Sequence, residues 1–210
     1  MKRAYSPREI SQMKHTPIPW DGDWRRVFGQ PDITDTWIVE GASAAGKSTF
    51  VMMLAKKLCE YGGVLYASYE EGVRMTFQDR LKRCHMDEVQ GRLRVVTDDN
   101  VDDIRQRLKK RKAPRFVIVD SFQLGCQTHG WSYEEASKLI GEFPHKSFIF
   151  ITQMHKGASM GKPAQRLKYL AGVKVSVRGY KAYCQGREIE NAGEYFEVWQ
   201  EGIAQTSNNV

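Results

Sequence analysis

The sequence predicts an α/β protein: a mainly parallel, twisted central sheet flanked by helices, with antiparallel strands toward its C-terminal end. Three observations carry this reading. A glycine-rich loop stands between a strand-like run and a helix-like run around Ala45. Short continuous apolar runs then alternate with helical patterns, as buried parallel strands and their crossover helices do. Further on, Val173-Lys174-Val175-Ser176-Val177 and Tyr180-Lys181-Ala182-Tyr183-Cys184 alternate like an antiparallel pair joined by Arg178-Gly179.

The chain has 210 residues, 41% of them hydrophobic, enough for one well-buried domain and hardly for two. We expect an N-terminal arm over 1–35, a core over 36–204 and a flexible tail over 205–210. No apolar run approaches the length of a membrane span, and Met1-Lys2-Arg3-Ala4-Tyr5 is not followed by the apolar stretch of a secretory signal. Cys59, Cys84, Cys126 and Cys184 lack metal-binding spacing, and the expected cytoplasmic location keeps them reduced. The net charge of +7 favours an acidic partner such as nucleic acid, although many soluble proteins are as basic.

In the arm, Ser6-Pro7-Arg8-Glu9 has the form of a capping box with proline at the first helical position, which predicts a helix from Pro7 to about Met13. Pro17 and Pro19 end any helix there. Trp20 and Trp24 are apolar anchors that dock on the chain's own core or on a neighbouring subunit; the former is the simpler reading.

The core opens with Thr36-Trp37-Ile38-Val39-Glu40 as a strand, followed by Gly41-Ala42-Ser43-Ala44-Ala45-Gly46-Lys47-Ser48-Thr49. This reads G-x-x-x-x-G-K-[ST], the phosphate-binding loop of nucleoside triphosphatases. Its glycines let successive backbone N–H groups curl around phosphates, and the helix from Thr49 to Tyr61 aims its positive dipole end at the same anion. Lys47 then reaches the β- and γ-phosphates, and the Ser48 hydroxyl holds Mg²⁺. Phe50, Val51, Leu54, Ala55 and Leu58 form the buried stripe of that helix.

Gly62-Gly63 ends the helix, and Val64-Leu65-Tyr66-Ala67-Ser68 is the next strand, running into Tyr69-Glu70-Glu71-Gly72. Carboxylates at that end of a strand lie at the crevice where open α/β sheets hold ligands. Either Glu70 or Glu71 is placed to orient, or take a proton from, a water attacking the γ-phosphate; a solvated helix start is the competing account. A helix follows over Val73–Cys84, with Met75, Phe77, Leu81 and Cys84 as its apolar positions; Phe77 and Arg80 are also candidates to stack on a base.

Leu93–Val96 reads as a strand and Asp98–Arg111 as a helix. Seven basic residues, Arg105, Arg107, Lys109, Lys110, Arg111, Lys112 and Arg115, fall within Ile104–Arg115. Acids first and bases last suit the helix dipole, so we read a solvated helix end rather than a nucleic-acid patch. Phe116-Val117-Ile118-Val119-Asp120 is an apolar strand ending in an acid, the form of an element that delivers Asp120 to the Mg²⁺ shell. A loop over Leu124–Trp131 and a helix over Ser132–Phe143 come next. Ser147–Thr152 is a strand ending at Gln153. Met154 to Lys168 is basic and glycine-containing, with Lys156, Lys162, Arg166 and Lys168 and no acids. It reads as a loop, either mobile and phosphate-contacting or an ordinary surface loop. Tyr195–Trp199 is the last strand.

With these pieces placed, the chain resembles the RecA-like P-loop ATPases, especially the RadA, KaiC and DnaB branch and the RepA-type helicases. The resemblance runs from Trp37 to about Arg187, and the compact chain with its arm looks most like phage or mobile-element members. It implies ATP hydrolysis with Mg²⁺ held by Ser48 and Asp120, coupled to DNA recombination, repair or replication by a homo-oligomeric ring or filament. It also implies Glu70 as the catalytic carboxylate, Gln153 as a γ-phosphate sensor and residues 154–168 as a DNA-contacting loop. Arg187, or Lys181 instead, stands where the family often carries a finger reaching a neighbour's ATP, although the K-N-R-F-G form is not reproduced. A small-molecule or nucleotide kinase and an ATP-binding switch with little turnover are the alternatives; the absence of N-K-x-D speaks against a GTPase.

Overall fold

The computed structural model describes residues 4–155, 158–159, 161–185 and 193–207. The arm begins with α1 (Pro7–Ser11). Its capping box forms as the sequence predicts: the Ser6 N–H donates to Glu9 Oε2 at 2.8 Å and the Glu9 N–H to Ser6 Oγ at 3.3 Å. A second arm helix, α2 (Gly22–Phe28), is an addition to the expected elements. It carries Trp24, and the chain then doubles back so that the Ile18 N–H donates to Pro31 O and the Ile33 N–H to Thr16 O. Trp20 is buried edge-on against Trp37, with its indole N–H donating to Gly29 O at 2.6 Å. Trp24 stacks near Phe50 and Phe196. Both anchors therefore dock on the chain's own core.

The core elements follow as β1 (Trp37–Gly41), α3 (Lys47–Leu58), β2 (Val64–Ser68), α4 (Met75–Arg83), β3 (Leu93–Val96), α5 (Val101–Leu108) and β4 (Phe116–Asp120). Then come α6 (Phe122–Thr128), α7 (Tyr133–Glu142), β5 (Ser147–His155), β6 (Ala158–Ser159), α8 (Lys162–Leu170), β7 (Val173–Arg178), β8 (Lys181–Cys184), β9 (Phe196–Glu197) and α9 (Gln200–Ser207). The sheet order is β3-β2-β4-β5-β1-β7-β8-β9, with β6 paired to the end of β5. Strands β3 through β7 along that order are parallel, and β8 and β9 complete it antiparallel.

Both sheet faces are covered, which is why the central strands read as continuous apolar runs. The period of two divides each strand between two cores. Val64, Tyr66, Phe116, Ile118, Ile149 and Ile151 face the side covered by the arm and α3. Leu65, Ala67, Val117, Val119, Phe148 and Phe150 face the side of α5, α7 and α8. The stripe Phe50, Val51, Leu54, Ala55 and Leu58 is fully buried, as its spacing predicts.

Several expectations are corrected. The stretch 124–131 is not a loop: α6 occupies most of it, capped by Ser121 Oγ accepting from the Leu124 N–H. Gly125 of this helix packs close to Trp131; a Cβ there would lie 2.8 Å from Trp131 Cδ1. The described residues of the basic stretch 154–168 are mostly not loop either. Strand β5 extends through His155 and pairs with β6, and α8 starts behind Gly161 with Pro163 in its first turn. Ala164 and Leu167, one turn apart, bury that helix, a short signal hidden among the charges. Met75 is 73% exposed rather than apolar-buried, because α4 turns Phe77 and Arg80 inward. Only Phe196–Glu197 of the predicted last strand pairs, and residues 205–207, expected in the tail, belong to α9. Among the described residues no helix is long and apolar enough to cross a membrane.

Candidate active site at the C-terminal edge of the sheet

Parallel register delivers four strand ends to one edge. Gly41 pairs with Gln153, and Ser68 with Asp120. The phosphate loop leaves β1 at that edge, and its backbone takes left-handed turns at Ala44 (φ 59°) and Gly46 (φ 98°) before α3 begins at Lys47. A Cβ on Gly41 would sit 2.4 Å from Val177 O, so the loop can leave the sheet this closely only as glycine.

Lys47 is almost fully buried, and its Nζ donates to Ala42 O at 2.6 Å. Burial lowers its pKa, partly offset by the carboxylates of Glu70 and Asp120, which place both acids within its field. Asp120, at the end of β4, is 7% exposed. Burial pushes its pKa up to about 6, against a hydrogen bond from the Tyr66 hydroxyl to Oδ2 at 2.5 Å. Tyr66 itself is held well above its ordinary pKa by burial and by that same carboxylate. It projects from β2 on the arm-side face, reads in the sequence as core, and bears on the cleft through its bond to Asp120.

The two glutamates after β2 separate by their partners. The N–H groups of Tyr69 and Glu70 both donate to Asp120 O, which pins this turn onto the end of β4. Glu70 is exposed to the cleft and accepts from Gln153 Nε2 at 3.2 Å. Glu71 also lines the cleft, but its carboxylate is taken up by a bidentate pair with Arg80 of α4 at 2.7 and 2.8 Å. Arg80 is thus held by a carboxylate, and Phe77 is 1% exposed against Tyr66, which removes Phe77 as a base-stacking group. Gln153 also accepts at its backbone carbonyl from Gln123 of α6 at 3.3 Å.

Ser43, Ala44, Gly46, Lys47, Ser48, Thr49, Glu70, Asp120 and Gln153 line one cleft of about 900 Å³. Ser48 and Asp120 offer hard oxygen donors of the kind Mg²⁺ takes beside substrate phosphates, so the residues present fit that ion. Arg187 lies outside the described residues, as does Lys156. Lys181 of β8 places its ammonium 4.3 Å from the Tyr195 ring centroid. Lys168 pairs with buried Glu40 of β1, and Arg166 pairs with Glu134 while covering the Tyr133 ring at 3.9 Å. In the basic run of α5, Arg105 is buried among Asp102, Glu135 and Glu142, and Arg107 pairs with Asp99. Those two bases serve the fold.

Residues 33–143, more than half of the chain, match the family model described as an AAA domain. The chain belongs to this family of RecA-like P-loop ATPases. The DNA repair protein RadA of Streptococcus pyogenes serotype M3 is 29% identical to the AAA-domain chain over 102 residues, covering 48% of this chain and 22% of that one. RadA of Streptococcus pneumoniae is 26% identical over 102 residues, covering 48% and 23%. The chain thus spans less than a quarter of the length of these curated relatives.

In fold, the AAA-domain chain is similar to a KaiC-like protein of Pyrococcus horikoshii, with a TM-score of 0.59 at 18% identity over 89% of this chain and 92% of that one. The flagellar accessory protein FlaH of Methanocaldococcus jannaschii gives a TM-score of 0.63 at 13% identity, covering 89% and 96%. Both neighbours share the mainly parallel α/β architecture.

Proposed function

We propose that the cleft binds and hydrolyses Mg·ATP, and that turnover is coupled to DNA work by an assembled oligomer. The observation that carries the chemistry is the meeting of Lys47, Glu70, Asp120 and Gln153 in the cleft that the phosphate loop opens. In this reading the loop N–H groups and Lys47 bind the phosphates and offset charge that builds on the transferring phosphoryl group. Glu70 positions the attacking water and accepts its proton, and Gln153 fixes the Glu70 carboxylate from the side. Ser48 and Asp120 would hold Mg²⁺, which supplies further neutralisation of the phosphate oxygens when bound. Arg187, or Lys181 in its place, is the proposed finger toward a neighbour's site.

The DNA part rests on the RadA relatives, whose name gives DNA repair as their role, and on the basic residues of 154–168. With Arg166 and Lys168 engaged within the chain, Lys156 and Lys162 are the bases we assign to that contact. The test is Mg·ATP turnover by the full chain and its Lys47→Ala variant. We expect turnover in the parent and its loss in the variant, with an unchanged far-ultraviolet CD spectrum. Undiminished turnover in Lys47→Ala sinks the assignment of the phosphate loop.

A further inference from the structure

One wall of the cleft is aromatic, and the reaction chemistry does not use it. Trp199, between β9 and α9, lines the cleft with Tyr180, Val198, Thr49 and Met53. Trp199 is 41% exposed, whereas Trp20 and Trp37 in the core are 1% exposed; Trp24, half-buried, also lines the cleft. The Trp199 indole is nevertheless held in place. It stands edge-on to the Tyr180 ring at 4.9 Å and 88°. Gly202, in the first turn of α9, closes behind both rings; a Cβ there would lie 2.3 Å from Trp199 and 2.7 Å from Tyr180.

Tyr180 in turn is fixed to the phosphate loop. Its N–H donates to Ala45 O at 3.1 Å, and a Cβ on Gly46 would meet its ring at 2.9 Å. Tyr180 itself takes φ 58° in the two-residue turn Gly179-Tyr180 between β7 and β8, a conformation a bulky residue adopts only under local constraint. Loop, tyrosine, indole and helix thus form one packed series that starts at the phosphate site and ends at an exposed ring in the same cleft. A rigid, half-exposed aromatic ring beside an anion site suits a flat, weakly polar group joined to phosphates.

We propose that Trp199, positioned by Tyr180 and Gly202, is the platform on which the nucleobase of the bound triphosphate stacks. The inference rests on the nucleotide reading of the cleft and adds the part of the ligand that reading leaves unassigned. Stacking uses the face of the base, which every base has, so this wall favours the larger purine surface and does not separate adenine from guanine. Arg83 and His85 line the cleft from the α4 side and are available to the base edge.

The test is equilibrium binding of ATP, GTP, CTP, ribose 5′-triphosphate and inorganic triphosphate, each with Mg²⁺, to the full chain and to Trp199→Ala and Trp199→Phe. For the parent we expect the two purine nucleotides to bind similarly and ribose 5′-triphosphate about tenfold or more weakly than either, as loss of one base stack implies. Trp199→Ala should weaken ATP by about that factor and leave inorganic triphosphate unchanged, while Trp199→Phe retains most of the ATP affinity. Ribose 5′-triphosphate binding the parent as tightly as ATP overturns the platform, and needs no variant to fold. Equal losses of ATP and inorganic triphosphate in Trp199→Ala, or no loss of ATP, overturn it as well. If the parent binds ATP and inorganic triphosphate equally, the platform fails and the phosphate loop stands; if it binds neither, both readings fail.

Discussion

At the scale of single residues, adjacent acids with the same chemistry are set apart by their partners. Both line the cleft, but Glu71 is neutralised by a forked pair with Arg80, whereas Glu70 accepts from a neutral donor, Gln153. A carboxylate already saturated by a guanidinium is a poor proton acceptor, and one left to an amide keeps capacity for a water. Glu70→Gln should therefore bind Mg·ATP but turn it over at least about a hundredfold more slowly, as removal of a positioned base implies. Glu71→Gln should keep most of the turnover and lower stability by about 1–3 kcal/mol, because it leaves the buried Arg80 with weaker partners. Single-turnover kinetics beside denaturant melts separate the two effects. A slow Glu71→Gln with a normal Glu70→Gln would place the base one residue later.

At the scale of elements, the arm shows how local signals and packing divide the work. Helix α1 forms from its capping box and proline alone and has no buried residue. Helix α2 has weak local signals and forms because Val27 and Phe28 are buried and Trp24 packs on Phe196. Trp20 joins this arm to β1 through Trp37 and a bond to Gly29 O. Trp20→Ala should cost about 3–5 kcal/mol in urea unfolding, as large-to-small changes in a closed aromatic cluster do. Ile10→Ala on α1, where the side chain is exposed, should stay within about 0.5 kcal/mol. A Trp20→Ala loss below about 1 kcal/mol would mean that the arm packs loosely in solution.

At the scale of the whole molecule, the sheet order sets what meets what. Placing β4 and β5 between β2 and β1 brings Glu70, Asp120, Gln153 and the phosphate loop to a single edge. The antiparallel β7–β8 turn then reaches back over that loop through Tyr180. If a finger from a neighbouring copy completes the site, turnover per subunit should rise steeply with protein concentration, and further on adding single-stranded DNA. A flat, DNA-insensitive rate would retain the nucleotide site and remove the assembly and DNA readings. Removing Mg²⁺ with a chelator should abolish turnover in either case.

Local patterns in the chain were enough for the alternation of strands and helices, the phosphate-loop motif and the acid at the end of β4. These are short-range patterns: a fixed spacing of glycines and lysine, or a run of apolar residues that only a doubly covered strand requires. The sequence also marked Glu70, Glu71 and Gln153 as strand-end groups without saying which of them face one another. Tertiary structure decided that, because the discriminating partner of Glu71 comes from a separate helix and that of Glu70 from a strand across the sheet. It likewise decided that α6 and α8 are helices. Their signals, a glycine against Trp131 and two small apolar contacts among lysines, acquire meaning only when the opposing surface is in place. Trp199 follows the same logic: its place beside the phosphate loop depends on a turn and a helix that close on it from both sides.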